Sequence, residues 1–218
     1  MAVQAAKRQL DRIRLEQIER QKTDEREKQL KAMSEKQREI RQKQAEEIAK
    51  EALEDYQNGR FKEAEEKFHK SVELNPNETS YYFRFGVTLY RNEKFNESLV
   101  ILKLTPEAPD ILLEKKYYMA LCHMRLNELD LALSYLKEVG QVKDSPLAPS
   151  ALFYQGIILY GKEDYESAKL PFEQVIDTSS DPKLDQQAEE YLDRIVILVQ
   201  QKKAMAKKIF VNERRGRR

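Results

Sequence analysis

Apolar residues recur at helical spacing through residues 48–182, in blocks that resemble one another. One block, 82–90, reads YFRFGVTLY and is followed by KFNES at 94–98; another, 152–160, reads LFYQGIILY and is followed by DYESA at 164–168. Spacing of this kind is typical of amphipathic helices, so each block predicts a pair of helices. Two more blocks share the register of small, aromatic and aliphatic positions: Ala52, Tyr56, Gly59, Phe61, Ala64 and Phe68, and Ala120, Met124, Leu129, Ala132 and Leu136.

A small residue stands at the same position in every block, at Ala64, Ser98, Ala132 and Ala168. The spacings between these residues are 34, 34 and 36. A fixed period in this range is the sequence signature of stacked helix pairs. The sequence therefore predicts an all-α solenoid of about four helix pairs.

Glycine and proline mark the ends of the predicted pairs, because proline cannot continue a helix and restricts the residue before it. Asn75-Pro76-Asn77 follows the first pair, and Pro106 and Pro109 follow the second. A longer loop, 140–149, accounts for the two extra residues of the last period. The predicted pairs are 48–58 with 61–74, 80–91 with 96–105, 111–126 with 129–139, and 150–160 with 165–177.

Residues 1–47 predict a long charged helix that runs straight into the first pair. Residues 1–58 contain no Gly or Pro and many Gln, Glu, Lys and Arg, which helices tolerate or favour. One continuous helix of this length would be roughly 85 Å long, at about 1.5 Å per residue. Its apolar residues form two short seams at heptad spacing: Val3, Ala6, Leu10 and Ile13, and Leu30, Met33, Gln37 and Ile40.

This helix has three interpretations. It could be a single helix surrounded by solvent, or a coiled coil with itself or with a partner. The third interpretation, an arm that binds nucleic acid, is disfavoured because its charges are of mixed sign. We favour the coiled coil as an assembly element, with modest or partner-assisted pairing, because only Ile18 offers an apolar side chain between Gln17 and Lys28.

The C-terminal part predicts a capping helix and a basic tail. Asp181-Pro182 is a strong helix start, with Asp as the N-cap and Pro at the first helical position. An apolar stripe follows over 183–208, as a solenoid needs over its last repeat. Residues 209–218 are predicted to be a tail that is disordered from Asn212 onward. The basic residues at this end include Lys207, Lys208, Arg214, Arg215, Arg217 and Arg218.

Charge is segregated along the chain. The total net charge is +1 with 35% charged residues, yet residues 1–50 carry +4, residues 51–200 carry −10 and residues 201–218 carry +7. A basic tail can bind phosphates or anionic lipid, or can simply keep the chain soluble. Aromatic residues within it are limited to Phe210, which disfavours specific recognition of nucleic acid.

The repeats resemble the tetratricopeptide repeat over about residues 48–182. The sequence departs from that pattern at Glu51 and Asp55, where the repeat has apolar residues, and at Asn127-Glu128, where it has a turn glycine. The order of a long Gln-rich helix followed by such repeats is also similar to bacterial envelope proteins that couple a coiled coil to a tetratricopeptide domain. The cell-division coordinator of the Tol-Pal system is one example of that layout.

The resemblance implies a groove for protein partners, lined by the first helix of each pair. Some members of the family hold the carboxylate tail of heat-shock chaperones with Lys and Asn in this groove. The matching positions here are mostly apolar, which favours an amphipathic helix or an extended apolar segment as the ligand. Some of these side chains could instead pack in the core. By register the groove residues would be Ala49, Leu53, Tyr56 and Gln57; Phe83, Val87, Tyr90 and Arg91; Tyr117, Leu121, Met124 and Arg125; and Phe153, Ile157 and Tyr160.

Motifs for catalysis or for metal binding are missing from the sequence. It contains no glycine-rich phosphate loop, no nucleophile elbow and no paired-cysteine metal signature, so it predicts neither an enzyme nor a bound cofactor. Cys122-His123 is the one suggestive pair, but adjacent residues on a helix point about 100° apart and no third ligand is near. Packing is the favoured role for both residues. A single cysteine also excludes an internal disulfide.

The predicted function is that of a scaffold or adaptor within a multi-subunit complex, with a partner segment docked in the groove and the N-terminal helix used for assembly. The alternative is electrostatic binding of nucleic acid or an anionic membrane through the basic tail. The chain lacks a signal peptide and an apolar run of about 18 residues. We therefore favour the cytoplasm, or the bacterial periplasm if the chain is a fragment of a longer protein.

Overall fold

The computed structural model describes the backbone of residues 2–142 and 144–215 and the side chains of residues 20, 21, 24–142 and 144–205. Those residues form nine α-helices and no strand. The predicted all-α fold, with a long N-terminal helix, four helix pairs and a C-terminal helix, is confirmed. The helices are α1 (Ala2–Gln57), α2 (Phe61–Leu74), α3 (Thr79–Arg91), α4 (Phe95–Leu104), α5 (Leu112–Arg125), α6 (Leu129–Gly140), α7 (Ala148–Gly161), α8 (Tyr165–Thr178) and α9 (Pro182–Arg215).

Helix α1 has two parts with different surroundings. It is 56 residues long because neither Gly nor Pro interrupts it before Gly59. The side chains of residues 24–41 are exposed. From Ala45 onward α1 packs against α2, and Ala45, Ala49 and Ala52 are buried. The last turns of α1 are therefore the first helix of the first pair.

The four helix pairs turn in the same way. One residue in each turn has a left-handed backbone: Gly59 (φ 76°), Glu93 (φ 61°), Asn127 (φ 61°) and Glu163 (φ 59°). In the second turn Glu93 N donates to Tyr90 O at 3.0 Å, and the next amide donates to Leu89 O at 2.9 Å. This left-handed C-terminal motif satisfies the last carbonyls of a helix. Asn adopts the conformation more easily than most residues, which explains why the third pair needs no glycine.

The second helix of each pair buries one large side chain, at the same position of the repeat in every pair. Phe68, Leu102, Leu136 and Phe172 follow the repeat spacing and are 0–1% exposed. Two of them meet a glycine on the first helix of their own pair. A Cβ at Gly86 would lie 2.7 Å from Leu102, and one at Gly156 would lie 2.6 Å from Phe172. The absence of a side chain at these two glycines allows the helices to approach closely.

Asp55 is the buried one of the two acidic residues that depart from the apolar pattern of the first pair, and the fold accommodates its charge. Its side chain is buried. Arg60 Nε donates to Asp55 Oδ1 at 2.8 Å, and Lys67 Nζ lies 2.8 Å from Asp55 Oδ2 and 3.1 Å from Glu51. Hydrogen bonds from Lys67 and Arg60 lower the pKa of Asp55. Both acidic departures are thus paired with bases of the same helix pair or its turn.

Helix α9 closes the last pair. It begins at the predicted Asp181-Pro182 signal, where Asp181 Oδ1 accepts a hydrogen bond from Lys183 N at 3.0 Å. Its inner face buries Ala188 and Ile195 completely. Lys202 Nζ lies 2.9 Å from the Glu163 carboxylate, so α9 is tied to the turn of the fourth pair.

The C-terminal boundary differs from the prediction. Helix α9 continues to Arg215 rather than ending at Lys208, because neither Gly nor Pro occurs before Gly216. Residues 209–215 of the predicted tail are therefore helical, including Asn212–Arg215, which we expected to be disordered. Residues 216–218, with Arg217 and Arg218, lie outside the described residues, as do the side chains from 206 onward.

Candidate functional site

A cavity opens on the face formed by the first helices of the first three pairs. Its volume is about 250 Å³. Leucine, valine and aromatic side chains form most of its wall, with one acidic and one basic residue at its side. The lining residues are Leu53, Tyr56, Phe68, Phe83, Arg84, Val87, Glu114, Tyr117, Tyr118 and Leu147.

Five of the predicted groove residues line this cavity, and three of them are aromatic residues from three different helices. Tyr56 comes from α1, Phe83 from α3 and Tyr117 from α5. Leu53 and Val87, from the wider groove set, complete the apolar wall. The one-repeat spacing brings them together because equivalent positions of stacked pairs lie side by side.

Three further predicted residues lie beside the cavity. Arg91 Nε donates a hydrogen bond to the Tyr56 hydroxyl at 3.1 Å. The Tyr90 ring lies 5.7 Å from the Tyr118 ring. The Arg125 guanidinium lies 5.0 Å from the centre of the Phe95 ring, at a cation–π distance. These contacts hold two arginine side chains in place at the end of the groove.

The predicted residues of the fourth pair have different neighbours. The Phe153 ring is 6.0 Å from Tyr191, and the Tyr160 ring is 5.1 Å from Tyr191. Ile157 packs in the same cluster. Met124 packs against the cluster formed by α5, α6 and α7. None of these four residues lines the cavity. Helix α9 packs on the face of α7 that carries Phe153, Ile157 and Tyr160, and Met124 packs towards α6 and α7 instead.

Sequence reasoning missed Tyr118 and Tyr154. Each comes directly after a predicted groove residue, so both aromatic residues of each doublet take part in ring contacts. The Tyr118 ring is 6.1 Å from Phe83 and 6.0 Å from Tyr117, and Tyr117 is 6.4 Å from Tyr154. A continuous series of rings therefore links α3, α5 and α7. The doublets at 117–118 and 153–154 were the available signal.

The fold can be compared with solved structures. No protein-family model matches the chain, and no curated protein matches it. MamA (residues 41 to the end) from Desulfovibrio magneticus RS-1 is 18% identical, with a TM-score of 0.56 over 62% of this chain and 75% of that one. YrrB, a tetratricopeptide protein with an unusual peptide-binding site, is 22% identical, with a TM-score of 0.55 over 64% and 71%. A thermophilic tetratricopeptide protein of Thermus thermophilus, TTC0263, is 16% identical, with a TM-score of 0.54 over 71% and 82%.

The chain has the tetratricopeptide-repeat fold. The resemblance that the sequence predicted is confirmed at the level of the fold. This chain shares the architecture of these tetratricopeptide proteins. The likeness to envelope proteins that carry a coiled coil ahead of the repeats stays a prediction.

Three tyrosines at the tetratricopeptide groove, Tyr90, Tyr117 and Tyr118, stay uncharged to a higher pH than an ordinary tyrosine. Burial raises the pKa values of Tyr90, Tyr117 and Tyr118 above the ordinary value of tyrosine. Their hydroxyls therefore present hydrogen-bonding groups at neutral pH, while Arg84, Arg91 and Glu114 supply charge. A surface of large rigid rings with a few polar groups can hold a peptide at low entropic cost.

The N-terminal seam lies on the exposed part of α1. Leu30, Met33 and Ile40 are 65%, 63% and 48% exposed. Leu10 and Ile13, the other predicted assembly residues, lie outside the described side chains. The three apolar side chains of the described seam are thus left exposed by the other residues that the structure describes.

Cys122 and His123 have structural contacts. Cys122 is fully buried, its Sγ lies 3.3 Å from Ser98 Oγ, and burial raises the pKa of its thiol. His123 is buried, with its Nδ1 2.5 Å from a Glu128 carboxylate oxygen and its ring stacked on Tyr135. Within the described residues, no group of three His, Cys, Asp or Glu side chains has a metal-binding arrangement, and no helix is long and apolar enough to cross a membrane.

Proposed function

We propose that this tetratricopeptide protein is a scaffold that docks a segment of a partner protein in the groove between α1, α3 and α5. The observation that carries the proposal is the cavity lined by Leu53, Tyr56, Phe83, Val87 and Tyr117. Aromatic side chains dominate binding hot spots because they give large contact areas at small entropic cost. The peptide-binding site described for YrrB supports a ligand of this class.

The size of the cavity indicates how much of the ligand enters it. Pockets for small molecules and cofactors usually measure about 300–1,000 Å³, whereas this one measures about 250 Å³. One large apolar side chain suits that volume. The rest of the segment would lie along the ring series from Tyr118 to Tyr154 outside the cavity.

The proposal assigns assembly to helix α1. Leu30, Met33, Gln37 and Ile40 follow the alternating three- and four-residue spacing of a coiled-coil seam. The exposed fractions of its three apolar side chains support this role. The seam is short, so pairing with a helix of a partner subunit or of a second copy would be modest in strength.

A co-purification experiment separates the two parts of the proposal. The tagged chain would be compared with Phe83→Ala/Tyr118→Ala in the groove and Leu30→Lys/Met33→Lys in the seam. Leu131→Ala/Leu170→Ala, at exposed positions of α6 and α8, is the matched control. The groove pair should lose a stoichiometric partner that the control keeps. If the groove pair keeps every partner, docking in the groove is refuted.

A second candidate function concerns the basic end of the chain. Residues 201–218 carry eight Lys and Arg against one Glu, and the backbone is helical through Arg215. A basic helix of this kind can bind anionic lipid or nucleic acid. Retention on heparin and on anionic vesicles would be compared for the wild type and Lys207→Gln/Lys208→Gln/Arg214→Gln/Arg215→Gln. Equal retention would refute this function.

A further inference from the structure

The charge of the groove is opposite to the charge of the domain around it. Residues 51–200 contain 17 Lys and Arg and 27 Asp and Glu, a net charge of −10. On the groove face, however, the side chains at and beside the cavity include Arg84, Arg91 and Arg125, against two acidic residues, Glu114 in the cavity wall and Glu93 beside Arg125. A local excess of positive charge on an acidic domain requires an explanation.

Two of the three groove arginines, Arg84 and Arg91, have no close carboxylate, whereas Arg125 has one. Arg91 is oriented by its hydrogen bond to the Tyr56 hydroxyl at 3.1 Å. Arg125 lies over the Phe95 ring, with the Glu93 carboxylate 3.7 Å from it. Among the side chains that the structure describes, no Asp or Glu carboxylate lies within 4.0 Å of the guanidinium of Arg84 or Arg91.

Four lysines between neighbouring helices are paired in a different way, because each has a close carboxylate. Three of the bridges join one helix pair to the next pair or to α9: Lys94 with Glu65, Lys162 with Asp130, and Lys202 with Glu163. The fourth, Lys116 with Glu138, lies within the third pair. Arg84 and Arg91 instead offer guanidinium N–H groups that an incoming carboxylate could occupy, and arginine is the residue best suited to that geometry.

The positions of these arginines relate them to the cavity. Arg84 lines it. Arg91 lies seven residues further along α3, which places it on the same face and about 10 Å away. Arg125 is the residue equivalent to Arg91 one repeat later. A segment with one side chain in the cavity would therefore pass beside arginines as it follows the groove.

We infer that the groove recognises an acidic protein segment that carries one large apolar side chain. This inference rests on the proposed docking function and adds the chemistry of the ligand. The apolar side chain fills the cavity, and Asp or Glu residues near it pair with Arg91 and Arg125. A basic segment would be repelled by the same arginines.

Selection from a random peptide library tests the inference and does not require that the partner be identified first. Phage-displayed dodecapeptides would be selected on the immobilised full-length chain, with counter-selection on Phe83→Ala/Tyr118→Ala. The enriched peptides should share a Leu, Phe or Trp flanked by Asp or Glu. One enriched peptide, labelled with fluorescein, then serves as the probe in fluorescence anisotropy.

Charge reversal supplies the matched comparison. Arg91→Glu/Arg125→Glu should weaken binding of the acidic probe by about tenfold or more, and it should bind a probe with Lys in place of Asp and Glu better than the wild type does. Lys103→Glu/Lys137→Glu, which makes the same charge change at exposed positions of α4 and α6, should leave the affinity for the acidic probe within about twofold. Thermal melts check that both variants are folded.

The outcomes separate the inference from the function on which it rests. The enriched peptides could be apolar, lack acidic residues and bind the wild type but not Phe83→Ala/Tyr118→Ala. That result would overturn the inference and leave the proposed function standing. Equal weakening by both charge-reversal pairs would mean that only general electrostatics acts, and would overturn it too. If no peptide is enriched in a groove-dependent manner, docking in the groove fails and the inference fails with it.

Discussion

Gly156 is the position where a single methyl group should reveal how tightly the last repeat is packed. A Cβ built there would lie 2.6, 2.7 and 2.8 Å from three atoms of the Phe172 ring. Phe172 is fully buried, and it is stacked on Tyr191 with ring centres 5.0 Å apart and planes 6° from parallel. The ring cannot move aside without displacing Tyr191 and hence α9.

The expected cost of Gly156→Ala follows from two opposing effects. Forcing an extra methyl into a packed core typically costs about 1–3 kcal/mol, while alanine is better than glycine inside a helix by about 0.5–1 kcal/mol. The net loss should be about 1–2 kcal/mol. For a chain of this size that corresponds to a fall in Tm of about 2–8 °C.

Gly161→Ala is the matched control, because it makes the same change in the same helix. A Cβ at Gly161 would have nothing within 4 Å, so its Tm should stay at or slightly above that of the wild type. The measurement is thermal and urea unfolding followed by circular dichroism. If Gly156→Ala is as stable as Gly161→Ala, close contact between α7 and α8 does not limit this repeat, and the packing account is wrong.

Three other predictions concern ionised groups and turns. Because its partners lower the pKa of Asp55, that carboxylate stabilises the fold above about pH 4, and the stabilisation is lost as the pH falls through the folded-state pKa. Asp55→Asn should therefore lower Tm at pH 7, and its difference from the wild type should shrink steadily as the pH is lowered below about 4. Burial raises the pKa values of Tyr117 and Tyr118, so stability should fall as the pH rises past about 10. A pH titration followed by tyrosine absorbance should show tyrosines that lose their protons well above pH 10. If no tyrosine does so, the raised pKa values are refuted. Glu93→Gly should raise Tm by relieving a left-handed residue that costs about 1–2 kcal/mol, more than Asn127→Gly does; equal shifts would contradict the strain argument.

The repeat period could be predicted because it is fixed by close packing. Ala64, Ser98, Ala132 and Ala168 are all fully buried where the two helices of a pair meet, and only small residues fit there. The left-handed turns were visible only at Gly59. At Glu93 and Glu163 the conformation is imposed by the helices on either side, and the residue type gives no sign of it.

The candidate site was predictable in its first three pairs and not in the fourth. The register places Tyr56, Phe83 and Tyr117 side by side wherever one repeat stacks on another. It cannot say that the next element after α8 is a helix whose Tyr191 packs against Phe153 and Tyr160. The cavity also depends on Leu147, which comes from the α6–α7 loop and has no counterpart in the repeat pattern.

The uninterrupted course of α1 fixes the angle between the exposed seam and the groove. Leu30, Met33 and Ile40 lie on the same rigid helix whose last turns hold Tyr56, so a rotation of about 100° per residue sets the direction of the seam relative to the groove. One residue inserted between Ile40 and Ala45 would rotate the seam by about 100° relative to the groove and would leave both surfaces intact. Seven inserted residues would return the seam to within about 20° of its original direction. Any partner helix that pairs with the seam would therefore hold the groove in a fixed direction around the axis of α1, relative to that partner.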